Sequence, residues 1–175
     1  FHNFNMHWIN ECYLRVIENA GVILKMQYNL SKIQAELTLL PTYDNQIYLQ
    51  GNSADMDPIE PTIGQNYLHV DNNELEYDIP LFDMPYINSI MEKHALVRTR
   101  VMRMKRKTCY YWHNDSTKRL HIPIVTHEHC FLLVDNERLH LPATGEAYIV
   151  DTTKMHTALN ASKIDRIHIV GAFSV

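Results

Sequence analysis

Apolar positions recur with a helical period over residues 7–20, where Ile9, Tyr13, Ile17 and Ala20 share one face and Gly21 follows as a stop. A second helix is predicted from Ser31. Its hydroxyl and the Gln34 side chain have the spacing of a capping box, and the helix buries Ile33, Leu37 and Leu40 before Pro41 ends it. A third, short helix is predicted after Asp83, with Ile87, Ile90, Met91 and His94 inward. Residues 51–66 are rich in Gly, Pro, Asn and Asp and carry little periodicity, so they read as a loop of the length that lids and binding segments have.

From Val97 onward the period shortens. Strand-like runs are predicted at 98–104, 108–113, 119–126, 129–134, 137–141, 146–150, 155–159 and 166–173, separated by turn residues. Short strands at such spacing predict a sandwich or barrel. The chain therefore reads as one mainly β domain over 1–175 with flanking helices. Residues 1–97 form a helical and loop part, and 98–175 form the β core.

Composition narrows the class. Hydrophobic residues make up 46% and charged residues 21% of the 175, the profile of a folded chain rather than a disordered one. A net charge of −4 advertises no nucleic-acid partner. The basic run from Arg98 to Lys107 alternates with Val101, Met102 and Met104, which reads as a strand with a solvated face. Cys12, Cys109 and Cys130 include no short-spaced pair, which favours a reducing compartment over a disulfide framework. No apolar run approaches the roughly 20 residues that span a bilayer. The expectation is a soluble, cytoplasmic protein without a membrane partner.

His113-Asn114-Asp115 is the first chemically informative feature. Residues i and i+2 of an extended strand point to one face, so this imidazole and carboxylate can converge on one metal ion. A second histidine completes a 2-His-1-carboxylate set, which leaves positions open on Fe(II) for a bidentate oxo-acid and O₂. His156 is the candidate, and Arg166 follows ten residues on. A turn at Asn160–Lys163 folds this stretch into a hairpin that sets Arg166 on the strand beside His156. There its guanidinium can grip the distal carboxylate of 2-oxoglutarate bidentately. Arg119 and His121 share a face and are candidate donors to the same co-substrate. Trp112, opposite His113 in an ideal strand, reads as core. His127-Glu128-His129 is a competing metal motif, set aside because no arginine lies at a useful distance.

These pieces resemble the aspartyl/asparaginyl β-hydroxylase family, which includes bacterial free-proline hydroxylases. The matching stretches are WHND, RLHIPI, GEAYIVDTTKMHTALN and DRIHIV, between Arg98 and Phe173. Gly145 and Asp151 fit the family's glycine and acid ahead of the second His ligand. The resemblance implies a double-stranded β-helix (jelly roll, cupin-like). It also implies Fe(II) on His113, Asp115 and His156, and 2-oxoglutarate on Arg166 with Arg119 and His121 assisting. Animal members carry a glycine where this chain has Asp115, and a co-substrate serine where the register places Met102. The implied reaction is hydroxylation of an unactivated C–H of an amino acid, free or within a protein, with O₂ consumed and succinate and CO₂ released. Arg98, Arg100, Arg103 and Gln46 are candidate anchors for such a substrate. The alternative is a metal-binding cupin-like protein without oxygenase activity.

Overall fold

The structure is a computed structural model that describes residues 22–59 and 74–174. The helix expected over 7–20 and the second half of the 51–66 loop lie outside the described residues. What is described is mostly β, with two helices and three sheets. The strands are β1 (Val22–Gln27), β2 (Gln46–Tyr48), β3 (Gln50–Gly51), β4 (Ile79–Pro80), β5 (Leu96–Met104) and β6 (Thr108–Cys109). They continue with β7 (Arg119–Val125), β8 (Cys130–Val134), β9 (Glu137–Leu139), β10 (Glu146–Val150), β11 (His156–Asn160) and β12 (Arg166–Phe173). A six-stranded sheet runs β1-β10-β7-β12-β5-β2, a four-stranded sheet runs β6-β11-β8-β9, and β3 pairs with β4.

The N-terminal part is not merely helices and loops, because it supplies both edge strands of the large sheet. Neither β1 nor β2 shows the strict alternation that marks a half-buried strand. Val22–Gln27 is a mixed run beside a helix stop, and Gln46–Tyr48 has only three residues. Helix α1 (Leu30–Leu37) starts one step before the expected capping box. Asn29 is the cap, its Oδ1 accepting from the Lys32 N–H at 3.1 Å, and Ser31 lies inside the first turn. Helix α2 (Pro85–Lys93) has no side-chain cap of its own. Glu36 of α1 substitutes, accepting the Tyr86 and Ile87 N–H groups at 2.7 and 2.8 Å.

Alternation along the strands divides the interior. Leu120, Ile122 and Ile124 of β7, Ile169 of β12 and Val101 of β5 pack with Ile33, Ile87, Ile90 and Met91 of the two helices. A second cluster holds Met104, Leu132, Val134, Tyr148, Val150 and Ala158, which come from both larger sheets. The residues between these apolar positions on β5, β7 and β12 are Arg100, Arg119, His121 and Arg166. They line a cavity in place of core.

One irregularity in β5 sets this arrangement. The β12–β5 ladder slips between Val170 and Ala172, and Arg98 opposite the slip has a φ of 49°. Such a bulge resets the pleat. Leu96 on one side faces the helices, whereas Arg98 and Arg100 on the other face the cavity. Gln50 satisfies the backbone groups that the slip displaces. Its buried amide accepts the Thr99 N–H at 3.1 Å and donates to the Leu96 carbonyl at 2.7 Å. Gly171 permits the close approach, since a Cβ there would lie 2.8 Å from Thr99 Oγ1 and 2.9 Å from Leu96 Cδ1. The basic run is thus a strand as expected, but Arg98 and Arg100 point inward and not at solvent. Gly145, at a φ of 85°, turns the chain into β10 against the backbone of Tyr28, where no Cβ fits.

Candidate metal centre and anion cavity

The segment after β6 leaves the ladder. Strand pairing ends at Cys109, short of the expected 113, and resumes as a single bridge between His113 and His156. That bridge is closed by His113 N–H to the His156 carbonyl at 3.0 Å and its reciprocal at 2.8 Å. The Asp115 N–H donates to the Thr152 carbonyl at 2.8 Å, and the Thr152 hydroxyl donates to the Thr117 carbonyl at 2.9 Å. Backbone hydrogen bonds therefore clamp the two distant segments together.

The side chains follow. The candidate ligand atoms of His113, Asp115 and His156 all lie within 4.8 Å of one another. The two imidazole centroids are 4.2 Å apart, and His156 Nε2 is 3.7 Å from Asp115 Oδ2. Each histidine is oriented by a carbonyl two residues upstream. His113 Nδ1 meets Tyr111 O at 2.8 Å, and His156 Nδ1 meets Lys154 O at 3.0 Å. A carbonyl only accepts, so both Nδ1 atoms carry the proton and both Nε2 lone pairs are left for a cation. Burial, reinforced by His113 and Arg119, holds the His156 pKa below its usual value against opposing contributions from the Lys154 carbonyl and Asp115. A neutral ring is the form that binds metal.

Behind the triad lies a cavity of about 560 Å³, within the range of small-molecule sites. Arg98, Arg100, Arg119, His121 and Arg166 line it together with Tyr110, Trp112 and the triad. Arg119 is committed within the protein. Its Nε is 3.2 Å from Asp115 Oδ2, and its Nη2 is 2.9 Å from Glu74 Oε1, which also takes Arg98 at 3.2 Å. Arg166 differs. It is 3% exposed, no acidic group among the described residues pairs with it, and its Nε has no hydrogen-bond partner. Burial pulls its pKa down, yet guanidinium stays charged at neutral pH. His121 is also buried with both ring nitrogens unpartnered. Desolvation, then Arg166, His156 and further arginines, push its pKa well below 6.5, so the ring is neutral. His168 beside it is in the same state, with desolvation first and Arg166 next among the causes.

Three sequence expectations change here. Arg166 does not sit beside His156 in a hairpin, because β11 belongs to the four-stranded sheet and β12 to the six-stranded one. The connection instead turns a corner around the buried Asn160, whose Nδ2 donates to the Met104 and Ile164 carbonyls at 3.0 and 2.9 Å. The two residues thus reach the cavity from different sheets. Trp112 is no core residue: it is 52% exposed at the cavity wall, since the pleat rule lapses where pairing lapses. Arg103 faces away from the cavity, over the Tyr43 ring at 4.7 Å.

His127, Glu128 and His129 also bring ligand atoms within 4.8 Å of one another, but on the turn between β7 and β8, and none lines the cavity. Cys109 and Cys130 are free thiols. No helix among the described residues is long and apolar enough to cross a membrane. Sequence reasoning missed Glu74, Gln50 and Thr152, which reach the site through contacts remote along the chain and carry no local signal.

Two imidazoles and a carboxylate make a candidate metal site, which shares its cavity with a buried arginine that has no acidic partner among the described residues. The family model for aspartyl/asparaginyl beta-hydroxylase matches residues 62–174, and the chain belongs to that family of hydroxylases. Among curated proteins no significant match is found.

Proposed function

We propose that the protein is an Fe(II)- and 2-oxoglutarate-dependent dioxygenase that hydroxylates an unactivated C–H of an amino acid, free or within a protein. The two facing sheets are then the halves of a double-stranded β-helix. His113 Nε2, Asp115 and His156 Nε2 would hold iron on one face. The donor set fits, because two neutral imidazoles and one carboxylate suit Fe(II) and leave open positions. Bound iron with 2-oxoglutarate and O₂ supplies the oxidising power, leaving succinate and CO₂.

The single observation that carries this reading is Arg166. A buried cation without a counter-charge is costly, and its presence beside a metal triad is accounted for by a ligand carboxylate. The neutral His121 offers an uncharged N–H donor to the same ligand. Arg119 acts differently from Arg166: its Nε, 3.2 Å from Asp115 Oδ2, holds that carboxylate in place.

Anaerobic titration with Fe(II) and then 2-oxoglutarate tests the proposal. The expected result is a weak visible charge-transfer band that needs both components, followed by succinate release on admitting O₂. A protein that binds metal but gives no 2-oxoglutarate-dependent band is a metal-binding protein of another kind.

A further inference from the structure

Asp115 is tied to the N-terminal part of the chain through one acidic residue, Glu74. That residue opens a single turn of 3₁₀ helix, Glu74–Glu76, which packs on β5. The bulge at Arg98 docks this turn. Arg98 stands outside the β12–β5 register, and its N–H donates instead to the Tyr77 carbonyl at 2.6 Å. Its Nη1 reaches Glu74 Oε1 at 3.2 Å. Tyr77 is buried, with its ring 6.0 Å from that of Tyr48, so the turn is seated on the sheet by backbone, side chain and core together.

We infer that Glu74 is a positioning residue for the metal site: acting through Arg119, it fixes the Asp115 carboxylate where a divalent cation needs it. The inference rests on the reading of His113, Asp115 and His156 as metal ligands.

Arg119 is engaged at every nitrogen. Nε lies 3.2 Å from Asp115 Oδ2, Nη2 lies 2.9 Å from Glu74 Oε1, and Nη1 donates to the Thr117 hydroxyl. A planar guanidinium gripped at three nitrogens cannot turn, so the place of Glu74 fixes the direction of Nε. The Ser116 hydroxyl adds a second link, donating to the same Glu74 oxygen at 3.2 Å. One carboxylate thus holds both the residue after Asp115 and the arginine that braces it, from 42 and 45 positions away. An anchor for the turn alone would need only Arg98. The contacts to Ser116 and Arg119 reach the loop that carries Asp115.

Charge adds to position. The Arg119 side chain is 3% exposed and sets a cation against the carboxylate that must also face a divalent ion. Like charges in a poorly solvated site repel strongly. Glu74 offsets that cation, so Arg119 can brace Asp115 with less cost to the metal. Removing the Glu74 charge would leave the guanidinium acting against the ion that Asp115 holds.

Mn(II) binding, read from the EPR signal of the free ion, tests this without turnover. Glu74→Ala should weaken Mn(II) about tenfold to a hundredfold, the usual cost of losing an outer partner of a metal ligand. Glu74→Gln keeps an oxygen acceptor but not the charge, and should weaken it by part of that, about threefold or more. An Arg119→Met background separates positioning from general support of the fold. There Glu74→Gln should cost less than about twofold, because the link to Asp115 is already gone. Unchanged Mn(II) affinity in Glu74→Gln overturns the inference, and so does an equal loss with and without Arg119. Should Glu74→Ala fail to fold, Glu74→Gln decides alone in the two backgrounds. A wild-type protein that binds no Mn(II) would instead sink the metal-site reading, and this role with it.

Discussion

Replacing Arg166 by methionine should make the ligand-free protein more stable and at the same time unable to hold 2-oxoglutarate. The reasoning starts from the 3% exposure of Arg166 and the absence of any carboxylate beside it among the described residues. Taking an ion out of water costs several kcal/mol even after relaxation, and unpaired charges are not repaid by Coulomb attraction. Arg166 borders a cavity that admits water, which softens the penalty, so the expected gain for Arg166→Met is about 1–3 kcal/mol. For a chain of this length that is a rise of roughly 3–10 °C in melting temperature. Added 2-oxoglutarate should stabilise the wild type by about 2.7 kcal/mol at a hundred times its Kd, and the variant hardly at all. Thermal denaturation of both proteins, with and without Mn(II) and 2-oxoglutarate, gives the four values needed. If the ligand-free variant melts below the wild type, the strain argument is wrong. If it still responds to 2-oxoglutarate, the co-substrate does not rest on Arg166.

Other outcomes follow from the same geometry. His156→Ala should abolish the melting shift produced by divalent metal and the succinate released on turnover; a metal-dependent shift of unchanged size would remove His156 from the ligand set. Gln50→Leu leaves the Thr99 N–H and the Leu96 carbonyl buried without partners. It should destabilise by about 2–4 kcal/mol in urea denaturation, and a change below about 0.5 kcal/mol would show that the bulge does not need its clamp. Acidification should weaken the fold through His94, which meets the Tyr28 hydroxyl and whose pKa is lowered to about 4 by burial and Lys93. Below about 6.5 the unfolded ring takes a proton that the folded ring refuses until about 4, so stability is lost as pH falls through that window. Partial exposure limits this single contribution to about 1 kcal/mol, and His94→Gln should flatten the slope of denaturation midpoint against pH between 6.5 and 4.5.

Much of the site was legible along the chain because it is local chemistry. His113-Asn114-Asp115 presents its own spacing, and Gly145 announces a turn that only glycine makes comfortably. The strands from Val97 onward follow period-two alternation strong enough to mark most of their bounds. The edge strands β1 and β2 were not legible, because a short or mixed segment becomes a strand only when a partner offers it a ladder.

The sequence by itself determined which groups were available: two candidate imidazoles, a carboxylate, a basic strand and the turns between alternating runs. Only the tertiary structure decided which side of the sheet the arginines occupy. A one-residue bulge at Arg98 exchanges the two faces of β5, and nothing in the local pattern records it. Tertiary structure also decided that Arg119 has acidic partners while Arg166 has none among the described residues. Charge compensation is a property of what meets in space, and Glu74 lies far from Arg119 along the chain but 2.9 Å from it in the fold.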